Sequence, residues 1–167
     1  MAVPMELASP TLDHTPPAYQ TILARQIPSV DLPDDAGTVR VIAGDFGGVR
    51  GPAQTFTPIN LWDLRLKSLS RAELVLPRGF TAALFVRQGE VVLTDSERAR
   101  EMDLAMLTRE GERLRISARD DASVLVLNGA PIDEPVVAYG PFVMNRKTEI
   151  TQAIDDYHSG RLGRLAA

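Results

Sequence analysis

The sequence of 167 residues contains no cysteine. Disulfides, thiolate metal sites and cysteine nucleophiles are therefore excluded. It has two histidines, His14 and His158, and that scarcity is the most restrictive feature of the composition. Transition-metal centres of the usual kind draw on several imidazoles. No His-x-His pair and no i, i+4 pair exists here, so no metal site of that kind is expected. A cationic excess is also missing: 18 basic residues against 22 acidic ones leave a net charge of −4. Affinity for nucleic acid rests largely on a basic face, so nucleic acid is not expected as a partner. Long apolar runs are absent too. Val124-Leu125-Val126-Leu127 is among the longest, far short of a bilayer span. The start, Met1 to Leu7, has neither a basic region nor an apolar stretch of signal-peptide length. The expectation is a soluble, cytoplasmic protein with no membrane partner.

What is present fits a globular domain. Hydrophobic residues make up 44%, and a chain of this size buries roughly 70% of its unfolded surface without covalent staples. Residues 1–17 read as a proline-rich tail, because Pro4, Pro10, Pro16 and Pro17 block helix and the apolar residues show no period. One domain is expected over 18–167. Its middle is strand-rich. In Trp62-Asp63-Leu64-Arg65-Leu66-Lys67 the apolar and polar residues alternate, the mark of a half-buried strand. Val39-Arg40-Val41 and Arg113-Leu114-Arg115-Ile116 alternate in the same way. Ala83–Val86 and Val91–Leu93 read as a hairpin with Gly89 in its turn. Ser123–Leu127 is a strand apolar on both faces, and Leu74–Leu76 and Val136–Tyr139 are shorter candidates. So many short strands, broken by Gly and Pro, predict an all-β antiparallel barrel or jelly roll. The period then changes. Ile150, Ala153, Ile154 and Tyr157 form one helical stripe. They predict a C-terminal α-helix over about 147–159, capped by Asn145 or Thr148 and ended by Gly160. The stripe must bury against the barrel or against another chain; Ile150, Ile154 and Tyr157 are the candidate interface residues.

Candidate chemistry is sparse. His14 sits in the tail and His158 in the last helical turn, where a solvated loop and a structural role respectively are expected. Glu90, Asp95 and Glu97 supply carboxylates, but their spacing matches no calcium loop. Gly44 to Pro52 is glycine-rich and follows a strand, yet Pro52 and an extended segment follow where a phosphate loop needs a helix, so a tight turn is expected. Asp133 and Glu134 are neighbours in one loop and lack the cross-cleft geometry of a glycosidase pair. There is no Gly-x-Ser-x-Gly elbow, and Ser159 beside His158 is not a triad spacing. Arg109, Arg113, Arg115 and Arg119 read as a solvated face, without the aromatics that stacking on bases requires.

Three blocks of sequence resemble the C-terminal domain of the pirin family. They are Gly47-Gly48-Val49-Arg50-Gly51-Pro52 with Thr57-Pro58-Ile59-Asn60-Leu61-Trp62-Asp63, then Pro131 through Asn145, and the ending Ile154 through Gly163. The resemblance spans roughly residues 18–163 and implies a cupin barrel. Residues 11–19 resemble the family's inter-barrel linker. Pirins carry two such barrels, with iron held by histidines and a glutamate in the N-terminal one. Some members act as quercetin 2,3-dioxygenases, and the animal member is known as a nuclear transcription cofactor. None of those metal ligands has a counterpart here, and Phe56 stands where the family pattern suggests a histidine. No catalytic, cofactor-binding or metal-binding residue is therefore assigned, and no cofactor is expected.

Two classes of function follow. The first is a metal-free, pirin-like cupin that acts as a binding or assembly module, paired as a homodimer or with a separate cupin domain. The second is a quercetin 2,3-dioxygenase-like activity that depends on a separately supplied metal-bearing cupin. A carrier of a small apolar ligand is a further alternative.

Overall fold

The computed structural model describes residues 19–94 and 96–163. The expected tail, His14 and Asp95 lie outside the described residues. The described chain forms two compact units, one reaching to Pro131 and one beginning at Ile132.

The first unit is built from strands β1 (Ser29–Asp31), β2 (Gly37–Ala43), β3 (Asp45–Phe46), β4 (Val49–Arg50), β5 (Ile59–Leu66) and β6 (Ser70–Val75). It continues through β7 (Thr81–Gln88), β8 (Glu90–Leu93), β9 (Glu97–Arg100), β10 (Leu104–Leu107), β11 (Arg113–Ala118) and β12 (Ala122–Gly129). Six of these strands form one antiparallel sheet in the order β1-β2-β5-β12-β7-β10, and four form a second in the order β6-β11-β8-β9. The inner faces of both sheets contribute to one hydrophobic core. This is the antiparallel cupin-type architecture that the strand pattern and the resemblance imply.

Alternation explains which residues meet in that core. Val39 and Val41 of β2, Trp62, Leu64 and Leu66 of β5, and Leu84 and Val86 of β7 point inward from the larger sheet. Leu74 of β6, Val91 and Leu93 of β8, and Leu114 and Ile116 of β11 meet them from the smaller one. Each such side chain contributes roughly 1.5–3 kcal/mol of transfer free energy. β12 reads apolar on both faces because its inner row is Val124 and Val126 while its outer row, Leu125 and Leu127, covers the outside of the sheet.

Two expectations need correction. Ala83–Val86 and Val91–Leu93 are both strands, but they are not a hairpin: β7 pairs with β12 and β10, whereas β8 pairs with β11 and β9. Gly89 is where the chain leaves one sheet for the other. Its φ is +81°, and an added Cβ would lie 2.6 Å from the Asp121 carbonyl oxygen, so only glycine fits. Asp63, placed by alternation on a solvated face, is 3% exposed; arginines from neighbouring strands cover it. Leu104–Leu107, which shows no alternation, is an edge strand that the sequence pattern did not mark.

The second unit holds a hairpin, β13 (Val137–Tyr139) with β14 (Phe142–Met144), and the helix α1 (Lys147–His158). The helix packs on its own hairpin. Its start differs from expectation. The N-cap is Arg146, and Glu149 reaches back so that one carboxylate oxygen accepts the N–H groups of Arg146 (2.9 Å) and Asn145 (3.1 Å). Ser159 closes the far end, followed by Gly160 at φ +72°.

Leu84 is fully buried, so Leu84→Ala is expected to lower the unfolding free energy by about 2–5 kcal/mol in urea titration. Leu69 is 84% exposed and holds a φ of +56°. Leu69→Gly is expected to raise the unfolding free energy by up to about 1 kcal/mol, read as a higher urea midpoint, because it relieves a left-handed backbone strain.

Candidate functional site

The inside of the barrel is the first place to look for chemistry, and its inward positions are hydrocarbon almost throughout. Trp62, the one tryptophan in the sequence, is 2% exposed. Phe46 of the β3–β4 hairpin stands edge-on to it, with ring centroids 5.0 Å apart and planes at 73°. The Trp62 Nε1 is buried and makes no hydrogen bond among the described residues. Two polar side chains share the inward rows, and they satisfy one another. Asn60 Nδ2 donates to Asn128 Oδ1 at 3.0 Å, and Asn60 Oδ1 accepts the Asp45 N–H at 3.2 Å.

Glycine at position 44 allows this closure. Gly44 has φ +75°, and a Cβ there would lie 2.0 Å from Asn60 Oδ1. The glycine-rich segment is thus a tight two-stranded turn beside the barrel, as its missing helix implies, and not an anion cradle.

The iron that the resemblance brings with it would need imidazole or carboxylate donors aimed into the barrel. The inward side chains here are Val, Leu, Ile, Ala, Trp and two mutually bonded Asn residues. They do not fit such an ion. Among the described residues no group of three or more His, Asp or Glu is positioned to hold a metal.

The remaining sequence candidates are dispersed. Glu90 is bridged by Arg98 at 3.1 Å and Arg100 at 3.2 Å, and Glu97 lies exposed on β9. Arg113 pairs with Glu73 across β11 and β6. Asp133 is exposed, and Glu134 accepts from Asn145 Nδ2 at 2.6 Å, so this pair of carboxylates is a loop anchor. His158 ends the helix, exposed, its ring 5.8 Å from that of Tyr157. Of the candidate interface residues, Ile150 is buried, Ile154 half-buried and Tyr157 65% exposed; Ala153, from the same stripe, is buried.

The most organised polar feature lies on the outer face of the six-stranded sheet. Arg87 Nη2 donates to Asp63 Oδ1 at 2.9 Å and to Ser123 Oγ at 2.6 Å, and Arg40 approaches Asp63 Oδ2 at 3.4 Å. Arg65 lies at 3.8 Å from the same oxygen. Strand pairing dictates this meeting: Arg40 is opposite Asp63, Asp63 opposite Leu125, and Ser123 is two residues along the same row. The sequence shows these arginines only as outward members of alternating strands. A carboxylate among them at the same outward parity was the available sign of a cross-strand network.

Three concavities of about 410, 440 and 750 Å³ open on the outside of this unit. The largest borders Gly44, Asp45, Asn60 and Phe80; the smallest, Arg71, Glu73 and Arg115.

Two antiparallel sheets around one core define a cupin domain whose interior is sealed by side chains. The pirin C-terminal cupin domain matches residues 61–163. The chain belongs to the pirin family. It is 48% identical over 149 residues to a provisionally named quercetin 2,3-dioxygenase of Pseudomonas aeruginosa, covering 89% of this chain and 52% of that protein. Human pirin is 30% identical over 151 residues, covering 88% and 51%. A crystal structure of a quercetin 2,3-dioxygenase from Acinetobacter baumannii superposes with a TM-score of 0.82 at 41% identity, covering 91% of this chain and 53% of that one. The chain thus spans about half the length of the curated relatives it matches. Among the described residues, no helix is long and apolar enough to cross a membrane.

Asp63→Ala would leave Arg40 and Arg87 without their buried counter-charge and is expected to cost roughly 1.5–3 kcal/mol. Arg65→Met, which removes a long contact from a side chain 59% exposed, is expected to change stability by less than about 0.5 kcal/mol. Equilibrium unfolding of the two variants side by side checks this difference.

Proposed function

We propose that this chain is a metal-independent pirin-family cupin that serves as a binding and assembly module and is not catalytic by itself. The observation that carries this reading is the chemistry of the inward rows. Positions that would have to present metal donors hold Val39, Trp62, Leu64, Leu84, Ile116 and Val126. Catalysis of oxygen insertion into a flavonol needs a redox-active centre, and this interior offers such a centre no ligand set.

The assembly side of the reading draws on the second unit. Tyr139, Val143 and Tyr157 are 68%, 63% and 65% exposed, an unusual display of large apolar side chains on one short hairpin and helix. The partner in this reading is a second copy of the chain or a separate cupin domain, in the cytoplasm. Where the partner is a separate cupin domain, Tyr157 and Ile154 belong to the contacting surface. The carrier alternative draws no support from the barrel interior, which side chains already occupy.

A second reading has its own support. Relatives from Pseudomonas aeruginosa and Acinetobacter baumannii are named as quercetin 2,3-dioxygenases. In that reading this chain is the metal-free half of such an activity and works only with a metal-bearing cupin supplied separately.

Elemental analysis and oxygen uptake separate these. The purified chain is expected to retain iron, nickel, copper and manganese at well below one ion per chain. With quercetin and added ferrous iron it is expected to consume oxygen no faster than iron alone. Stoichiometric metal, or uptake by this chain alone, would overturn the first reading. Uptake that appears only on adding a metal-bearing cupin would establish the second.

A further inference from the structure

We infer that strand β10 is a pairing edge whose occupant is β10 of a second copy of this chain, joined antiparallel across a two-fold axis so that two six-stranded sheets continue as one. This rests on the homodimer form of the assembly reading above and places the contact between copies on β10, apart from the hairpin and helix.

The sheet edges differ in how they are guarded. The two larger sheets end in four edge strands, β1, β10, β6 and β9. An exposed edge presents unpaired backbone N–H and C=O groups, and soluble proteins protect such edges with charge, proline or brevity. β9 reads Glu-Arg-Ala-Arg, with three charged residues in four. β6 carries Arg71 and Glu73. β1 is three residues long, follows Pro28 and ends in Asp31. β10 reads Leu-Ala-Met-Leu, with no charge, no proline and no glycine. It is the unguarded edge of the four.

β10 is also held ready to pair. Ala105 and Leu107 lean into the core and fix the strand, while Leu104 and Met106 turn outward, 58% and 63% exposed. Their rows run on across the sheet: Leu104 lies opposite Phe85 and Phe85 opposite Leu125, while Met106 lies opposite Ala83 and Ala83 opposite Leu127. An apolar outer face therefore reaches the edge without a polar border.

Charge complementarity selects a second copy. Antiparallel pairing of a strand with itself is isologous, so every contact occurs twice. Keeping the outward rows on one side requires outward residues to face outward residues. With Ala105 on the axis, Leu104 faces Met106 of the second copy. Beyond the strand, Glu101 in the turn before it and Arg109 in the bend after it stand four residues either side of the axis, so the exposed Glu101 comes to the same end as the exposed Arg109 of the second copy, twice by symmetry. Asp103 adds to the acidic flank at the start of the strand. Glu110, after Arg109, falls toward Arg100, which already bridges Glu90. Four paired residues per copy make a small interface, so the dimer belongs to the weak, micromolar class.

Sedimentation velocity of the full chain, from about one to a few hundred micromolar, tests the inference. A reversible monomer–dimer equilibrium is expected. Met106→Lys, at an exposed position, is expected to raise the dissociation constant at least tenfold. Arg109→Glu is expected to weaken the dimer, and the double variant Glu101→Arg with Arg109→Glu to restore it, a rescue that no folding defect produces. Tyr157→Ala is expected to leave the constant unchanged. A dimer untouched by Met106→Lys and Arg109→Glu but lost in Tyr157→Ala would overturn this inference and keep the assembly reading. A dimer that none of the three affects would also overturn it. A monomer at every concentration would remove the inference together with the homodimer form of that reading.

Discussion

Two sheets can share a single core only if every inward side chain finds an apolar neighbour on the opposite sheet, and this barrel meets that condition along nearly its whole length. Leu64, Leu84 and Val124 from the larger sheet, with Leu74, Val91 and Ile116 from the smaller, are all fully buried. The dispersion and transfer terms of such packing are large, and they depend on shape. The same condition removes the interior as a place for polar chemistry. An imidazole or carboxylate at any of these positions would be desolvated without a partner, at a cost of several kcal/mol. Core filling and metal ligation compete for the same inward rows, and here filling has taken them.

Polar side chains consequently collect where the core ends. Asn60 and Asn128 sit on inward rows at one limit of the sheet and satisfy one another, with Asp45 and Thr81 backbone groups completing the set. Asp63 sits on the outward row of β5, buried beneath Arg40 and Arg87. These are different solutions to one constraint. The amides stay neutral and bond in place, whereas the carboxylate recruits guanidinium groups from strands on either side and lets their stems cover it. The outer face then carries a charged network on one side and the apolar rows of Phe85, Leu125 and Leu127 on the other.

How much of this is visible in the sequence depends on the scale of the interaction. Period-two alternation locates β2, β5, β11 and the inward faces of each, because burial on one face is a local property of the strand. It cannot say which strand a segment pairs with, and so it joins β7 to β8 when Gly89 in fact passes the chain between sheets. The burial of Asp63 is unreadable for a related reason: parity sends it outward among arginines, and what covers it is supplied by strands remote in sequence. Leu104–Leu107 escapes because four apolar residues in a row carry no period. The helix is found from Ile150, Ala153 and Ile154, though its cap is not, since Glu149 reaches back to Arg146 in place of Asn145 or Thr148 acting as cap. On the site, composition says only that the chain has two imidazoles to offer, whereas the identity of the residues that fill the interior needs the fold.

The absence of a period in Leu104–Leu107 and the absence of a guard on β10 have a common origin. A strand with one wet face and one dry face alternates, and an edge strand in water also carries charge or proline. A segment that does neither suits a place where something other than water meets the strand. Interior positions satisfy this through the core, as β12 does between β5 and β7. Among the described residues, β10 pairs with a strand on one side only. Its composition is that of a central strand and its place in the order is that of an edge; the pairing proposed above would reconcile the two.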